Sequence, residues 1–210
     1  MHARFVTFEG IDGAGKSTAL RALASLLAER GIDHILTREP GGTAVGESIR
    51  RILLDRGSEI SPETELLLMF AARQEHVLRV VRPALERGCW VLCDRFADAS
   101  YAYQGGGRGI ALDRIDALRD WVLGTLRPDA TFLVDAPVEL ASERLGRRGD
   151  APDRFEVEAQ SFHERVRAAY LALQAREPER IHRLPAQWTP EAIQSHLAQW
   201  LTAVSGGAAS

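Results

Sequence analysis

Short apolar runs alternate along this chain with longer stretches in which apolar residues return every three or four positions. The short runs predict strands at residues 5–9, 34–38, 89–94 and 131–135, with a less regular one at 181–184. The longer stretches predict helices. Leu20, Leu23, Ala24 and Leu27 form one apolar stripe, closed by Gly31 at a C-terminal cap position. Ile49, Ile52 and Leu53 form a second. Ser61-Pro62-Glu63 combines a cap, a proline at the first helical position and an acidic first turn. It opens a long helix carrying Leu66, Phe70, Arg73, Val77 and Leu78. Another runs from Leu112 or Asp113 to about Leu123, and Thr189-Pro190-Glu191 starts the last. Strands alternating with helices mean an α/β domain built on a parallel sheet. No repeat or linker interrupts it, so one domain is expected over 1–204, with a frayed tail at 205–210.

Composition narrows the partners. Over 210 residues, 26 basic against 29 acidic side chains leave a net charge of −3, and no basic field points to nucleic acid. No apolar run approaches the ~20 residues that span a bilayer, and nothing resembles a signal peptide. Cys89 and Cys93 fall on one face of one expected strand, about 13 Å apart, too far to pair. Two buried free thiols suit a reducing cytoplasm, and no Cys/His cluster offers a metal site.

The chemistry concentrates at Gly10-Ile11-Asp12-Gly13-Ala14-Gly15-Lys16-Ser17, followed by Thr18, between the first strand and the first helix. Gly, four residues, Gly, Lys and Ser is the spacing of a phosphate-cradling loop. Glycines let backbone N–H groups converge on phosphate oxygens, and the following helix adds a partly positive end. Lys16 would place its ammonium between the β- and γ-phosphates of ATP, and the Ser17 hydroxyl would ligate magnesium. Of the 26 basic residues Lys16 is the only lysine; every other is arginine. A planar guanidinium does not replace a compact ammonium at a crowded phosphate site, so the exception marks chemical need. A guanine-reading Asn-Lys-x-Asp element is impossible without a second lysine, which argues against a GTPase switch.

Three further stretches carry candidate chemistry. Arg38-Glu39-Pro40-Gly41-Gly42-Thr43 follows the second strand, at the sheet edge where ligands bind in doubly wound folds. Asp94-Arg95-Phe96 ends the third strand; Asp94 is placed to organise magnesium and its waters, and Arg95 to clamp an acceptor phosphate. Residues 144–155, dense in arginine between Gly and Pro hinges, read as a small mobile lid offering Arg144, Arg147, Arg148 and Arg154.

The chain resembles the thymidylate kinases of the nucleoside monophosphate kinase group over nearly its whole length. The likeness rests on residues 8–18, Thr-Arg-Glu-Pro-Gly-Gly-Thr (37–43), Phe-Ala-Ala-Arg-x-x-His (70–76), Asp-Arg-Phe (94–96) and Tyr-Gln-Gly-Gly-Gly-Arg-Gly (103–109). Asp-Arg-Phe-Glu (153–156) and Arg-Val-Arg-x-x-Tyr-Leu (165–171) complete it. The resemblance implies a phosphate-loop kinase fold, a five-stranded parallel sheet flanked by helices with a mobile lid, and a homodimer. It implies transfer of the ATP γ-phosphoryl to dTMP with Mg2+. By the same likeness Phe70 is the stacking platform for thymine and Arg73 donates to a thymine carbonyl. Ser100 and Gln104 touch the base, the Tyr103 ring excludes a ribose 2′-hydroxyl, and Arg38 and Arg95 bind the acceptor phosphate. Some relatives carry a catalytic arginine within the phosphate loop; here that position is Gly13, so a lid arginine is expected, Arg148 first and Arg147 second. Asp12 has two open roles, holding the acceptor sugar directly or through water, or stabilising the loop. The alternatives are a kinase of another nucleoside monophosphate and an ATP-dependent switch.

Overall fold

The computed structural model describes residues 3–147 and 151–206. Five strands, β1 (Phe5–Glu9), β2 (His34–Arg38), β3 (Trp90–Asp94), β4 (Ala130–Asp135) and β5 (Ile181–Pro185), form one parallel sheet in the order β2-β3-β1-β4-β5. Central β1 and β4 are buried at every position, as expected of strands covered on both faces. In register, Phe8 lies opposite Asp94 and Asp94 opposite Arg38, so three strands end on one row. The loops carrying Lys16, Arg38 and Arg95 therefore leave the sheet side by side.

The helices are α1 (Lys16–Glu29), α2 (Ala44–Leu54), α3 (Pro62–His76), α4 (Arg82–Glu86), α5 (Ala97–Ser100), α6 (Leu112–Leu123), α7 (Val138–Gly146), α8 (Gln160–Arg176) and α9 (Pro190–Gly206). The α1 stripe of Leu20, Leu23 and Leu27 packs on one sheet face with Phe8, Phe132 and Trp90. Phe5, Val77, Val81, Val91 and Phe96 fill the other. Ser61 caps α3 as expected, its hydroxyl accepting from Thr64 N–H.

The expected long helix is one rod with a widened middle. α3 passes through π-helical turns at Val77–Val81 into α4, and Arg82 N–H reaches the Val77 carbonyl. Pro83 follows immediately; a proline inside a helix donates no hydrogen bond and crowds the preceding turn, and a wider turn relieves both. A second π-helical run, Tyr101–Gly107, packs against α8. There Gly107 is indispensable, because a Cβ would lie 2.5 Å from the Phe162 ring.

Two expectations need correcting. The third strand begins at Trp90, so Cys89 lies just outside it and is only partly buried, while Cys93 is buried. The last helix runs on through Ser205 and Gly206, the first two residues of the expected tail; 207–210 lie outside the described residues.

Candidate active site

The phosphate loop leaves β1 through Gly10 and enters α1 at Gly15, in left-handed conformations at Gly13 (φ 79°) and Gly15 (φ 109°). A Cβ on Gly13 would lie 2.2 Å from the Ala141 carbonyl of α7, so position 13 has no room for a side chain. No side chain caps α1, which leaves its first N–H groups to an anion. Lys16 is buried, its Nζ donating to the Gly10 and Ile11 carbonyls at 3.3 and 3.2 Å. Those carbonyls hold the ammonium over the loop where phosphate oxygens would compete for it. Burial, then the Arg95 charge, lower its pKa. Ser17 and Thr18 are exposed at the start of α1.

Arg95 sits in the left-handed region at φ 68°, a strained backbone for a non-glycine residue. The strain is held by its side chain. Nη1 donates to Gly10 O (2.8 Å) and the Tyr170 hydroxyl (3.1 Å), and Nη2 to Asp12 Oδ1 (2.6 Å) and the Tyr103 hydroxyl (3.0 Å). Burial opposes ionisation of Asp12, but the charges of Arg95 and Lys16 prevail and hold its carboxyl well below the usual range. Behind this cluster Glu9 accepts from Phe96 N–H and from the Tyr170 hydroxyl. Burial, reinforced by Asp98, pushes its pKa up to about 8.

Two cavities meet at Arg95. The phosphate cleft contains Gly13, Gly15, Lys16, Ser17, Arg38, Asp94 and Arg144. A second cavity is walled by Met69, Arg73, Ser100, Tyr103 and Gln104. Asp12, Glu39, Arg50, Arg95 and Asp153 line both. The second cavity thus has a charged mouth on the phosphate loop and a mixed interior, in which Pro40, Leu54, Met69, Phe96 and Phe155 alternate with Arg73, Ser100 and Gln104.

The expected residues divide. Arg73, Ser100, Tyr103 and Gln104 come together in the second cavity; Arg73 donates to Ser100, and Gln104 to Glu65. Phe70 is 2% exposed and does not line that cavity; the Arg73 guanidinium lies over its ring, 4.6 Å from the centroid. Arg38 lines the cleft, its Nη2 donating to both carboxylate oxygens of Glu47. Arg147 is 77% exposed and paired with Glu143 one turn back, outside both cavities. Arg148 lies outside the described residues. Of the arginines expected on a lid, Arg144 reaches the phosphate loop, donating to the Ala14 and Ala186 carbonyls. Arg154 turns instead to Leu53 O and Glu65.

Arg50 escaped the sequence reading. It donates to the Pro40 carbonyl and stands where the two cavities join. Burial, then repulsion from Arg38, lower its pKa. The available signal was its spacing of four from Leu54 on α2, which puts both on the cavity wall.

The donors suit a magnesium ion carried by nucleotide phosphates. Asp94 Oδ1 is buried with no hydrogen-bond partner, and it shares the cleft with the Ser17 hydroxyl. Among the described residues no group of three or more His, Cys, Asp or Glu could cage a metal alone. One carboxylate and one hydroxyl are what a largely hydrated, phosphate-bound magnesium asks of a protein.

A glycine loop on a central parallel strand, opening into a second pocket lined by arginines, defines a phosphate-loop kinase of small phosphorylated acceptors. The family model described as thymidylate kinase matches residues 8–197. The thymidylate kinase of Alkalilimnicola ehrlichii is 55% identical over 199 residues, covering 94% of this chain and 92% of its own. That of Cupriavidus necator is 51% identical over 207 residues, 97% of this chain and 100% of its own. The crystal structure of thymidylate kinase from Ehrlichia chaffeensis superposes with a TM-score of 0.78 at 34% identity, over 96% of this chain and 99% of that one. The chain belongs to the thymidylate kinase family.

Proposed function

We propose that this chain transfers the γ-phosphoryl group of ATP to the 5′-phosphate of dTMP, releasing dTDP and ADP, with the donor in the phosphate cleft and thymine in the second cavity. One observation carries the arrangement: the two cavities share Arg95, Arg50 and Asp12, so an acceptor phosphate at the mouth of one meets the donor lying in the other.

The acceptor is a phosphate monoester whose second pKa is about 6, so at neutral pH it needs little help from a general base. The barrier is repulsion between a polyanionic donor and an anionic nucleophile. Lys16 and the loop N–H groups bind the donor, and Arg95, with Arg38 and Arg50 beside it, binds the acceptor. Arg73, Ser100 and Gln104 orient the base. Asp12, already tied to Arg95 and Tyr103, orients the guanidinium and stabilises the loop. Ser17 and Asp94 would hold magnesium, which when bound would supply charge neutralisation to the donor phosphates. Closure of residues 144–155 excludes water that would compete for the phosphoryl group. Arg144, already on the loop carbonyl, adds a cation at the lid base; Arg148 and then Arg147 are the donors that closure would deliver.

Two further assignments belong with this reading. A homodimer would cover Leu67 of α3 and Trp121 of α6, which are 56% and 84% exposed on helices that touch each other. No described helix is long and apolar enough to cross a membrane, which suits a cytoplasmic enzyme. The deciding experiment follows ADP release from magnesium-ATP with dTMP, dUMP, dCMP, AMP or GMP. ADP should appear rapidly with dTMP and scarcely without an acceptor. Hydrolysis indifferent to dTMP would instead make the chain an ATPase or switch.

A further inference from the structure

His76 and Glu39 belong to the motifs singled out in the sequence, yet nothing above gives them a task. Both are buried, and they lie 37 residues apart in the chain. His76 Nδ1 meets Glu39 Oε1 at 2.8 Å, and its Nε2 meets the Thr37 hydroxyl at 2.7 Å. The other carboxylate oxygen, Glu39 Oε2, accepts from Arg73 Nε at 2.7 Å. The ring is closely confined, since a Cβ on Gly42 would lie 2.8 Å from its Cδ2.

This chain of contacts ends at the base pocket. A guanidinium carries five N–H groups. Arg73 uses one on Nε for Glu39, one on Nη1 for Ser100 and one on Nη2 for the Phe96 carbonyl. One N–H on each Nη is left for whatever enters the cavity that Arg73 lines. Without the carboxylate on Nε the fork could rotate about its long stem, over the Phe70 ring. Without the imidazole the carboxylate would lose its second anchor.

We propose that Glu39 and His76 are positioning residues for recognition of the acceptor base: His76 braces Glu39, and Glu39 holds Arg73 with two N–H groups presented to a carbonyl of that base. The inference rests on the reading of Arg73 as a base donor. It assigns the discrimination between a carbonyl and an amino group on the pyrimidine to a unit that begins at His76, directly behind the pocket wall to which Glu39 and Arg73 belong. Tight packing under Gly42 is the purely structural alternative, and the two are separable.

The test compares His76→Asn, whose amide can replace the Nδ1–H donor to Glu39, with His76→Gln, whose amide reaches instead toward Thr37. Asn leaves the larger void at this buried position, so a packing role makes His76→Asn the worse variant, the reverse of the order expected here. Steady-state kinetics are measured with dTMP and with 5-methyl-dCMP, which presents an amino group where thymine presents a carbonyl. His76→Gln should raise KM for dTMP about tenfold, leave KM for ATP within about twofold and lower the dTMP preference about tenfold. His76→Asn should restore most of that preference. Should His76→Gln fold poorly by thermal melting, Glu39→Gln replaces it and should give the same KM split. Equal effects of the two His76 variants, or an unchanged preference in the variant that folds, overturn the inference. Arg73→Ala separates the premises: a raised KM for dTMP there keeps the base-donor reading even if the His76 variants fail. An unchanged KM removes that reading and this inference together.

Discussion

Arg95 Nη2 lies 2.6 Å from Asp12 Oδ1, a contact that spans 83 residues and fastens the Arg95 guanidinium to the phosphate loop. Neither partner is free to move without the other. On the proposed reading two phosphates meet here, and preorganised charge at that point needs no reorganisation during transfer. Asp12→Asn keeps the shape and removes the charge. It should lower kcat about tenfold or more while changing KM for ATP little, as single-turnover and steady-state assays would reveal. Because Asp12 stays ionised, it should contribute no limb to the pH–rate profile between about pH 5 and 9.

Lys16→Ala should cut kcat by about 10²–10³-fold, with the melting temperature nearly unchanged. Lys16→Arg should not recover the activity, since a fork cannot enter the space between Gly10 O and Ile11 O that the ammonium occupies. Near-normal turnover in either variant would remove the phosphate-loop role.

Tyr103 offers a ring to the cavity and a hydroxyl to Asp12 and Arg95. The two functions separate in variants. Tyr103→Ala should narrow the preference for dTMP over its ribo-analogue by about ten- to a hundredfold, whereas Tyr103→Phe should keep that preference and lose kcat. A ratio unchanged in Tyr103→Ala would exclude the ring from sugar selection.

Glu9 carries the clearest pH signature in the molecule. Its folded pKa of about 8 lies above the ordinary value of 4.5, so the folded state holds a proton that the unfolded chain releases. The stabilisation is complete below about pH 4.5 and disappears as pH rises toward 8. It falls by up to about 1.4 kcal/mol per pH unit between those limits. Denaturant melts should show the stability of the native protein relative to Glu9→Gln declining across that window. Parallel curves would contradict a raised Glu9 pKa.

Asp94→Asn should raise the magnesium concentration for half-maximal activity by about ten- to a hundredfold. A chelator should abolish activity, and added magnesium should restore it. Equal magnesium dependence in the variant and the native protein would free Asp94 from metal organisation.

The alternation of short apolar runs with helical stripes determined the α/β class, the five strands within a residue or so, and the phosphate loop. Those features follow from spacing along a few neighbouring residues, where backbone geometry sets the period and glycine sets the turn. The family likeness points to Arg73, Ser100, Tyr103 and Gln104 as a group, and the structure brings the four to one cavity. What no local pattern contained was which side chains would face each other across the sheet edge. Arg50 joins the site because α2 lies over the loop after β2. Arg144 reaches Ala14 because α7 packs beside Gly13, and the Arg73 guanidinium lies over the Phe70 ring. The Glu39–His76 contact exists only once α3 crosses behind the second loop. Contacts between residues tens of positions apart are settled by how strands register and helices pack, and neither is encoded in the periodicity that builds the elements themselves.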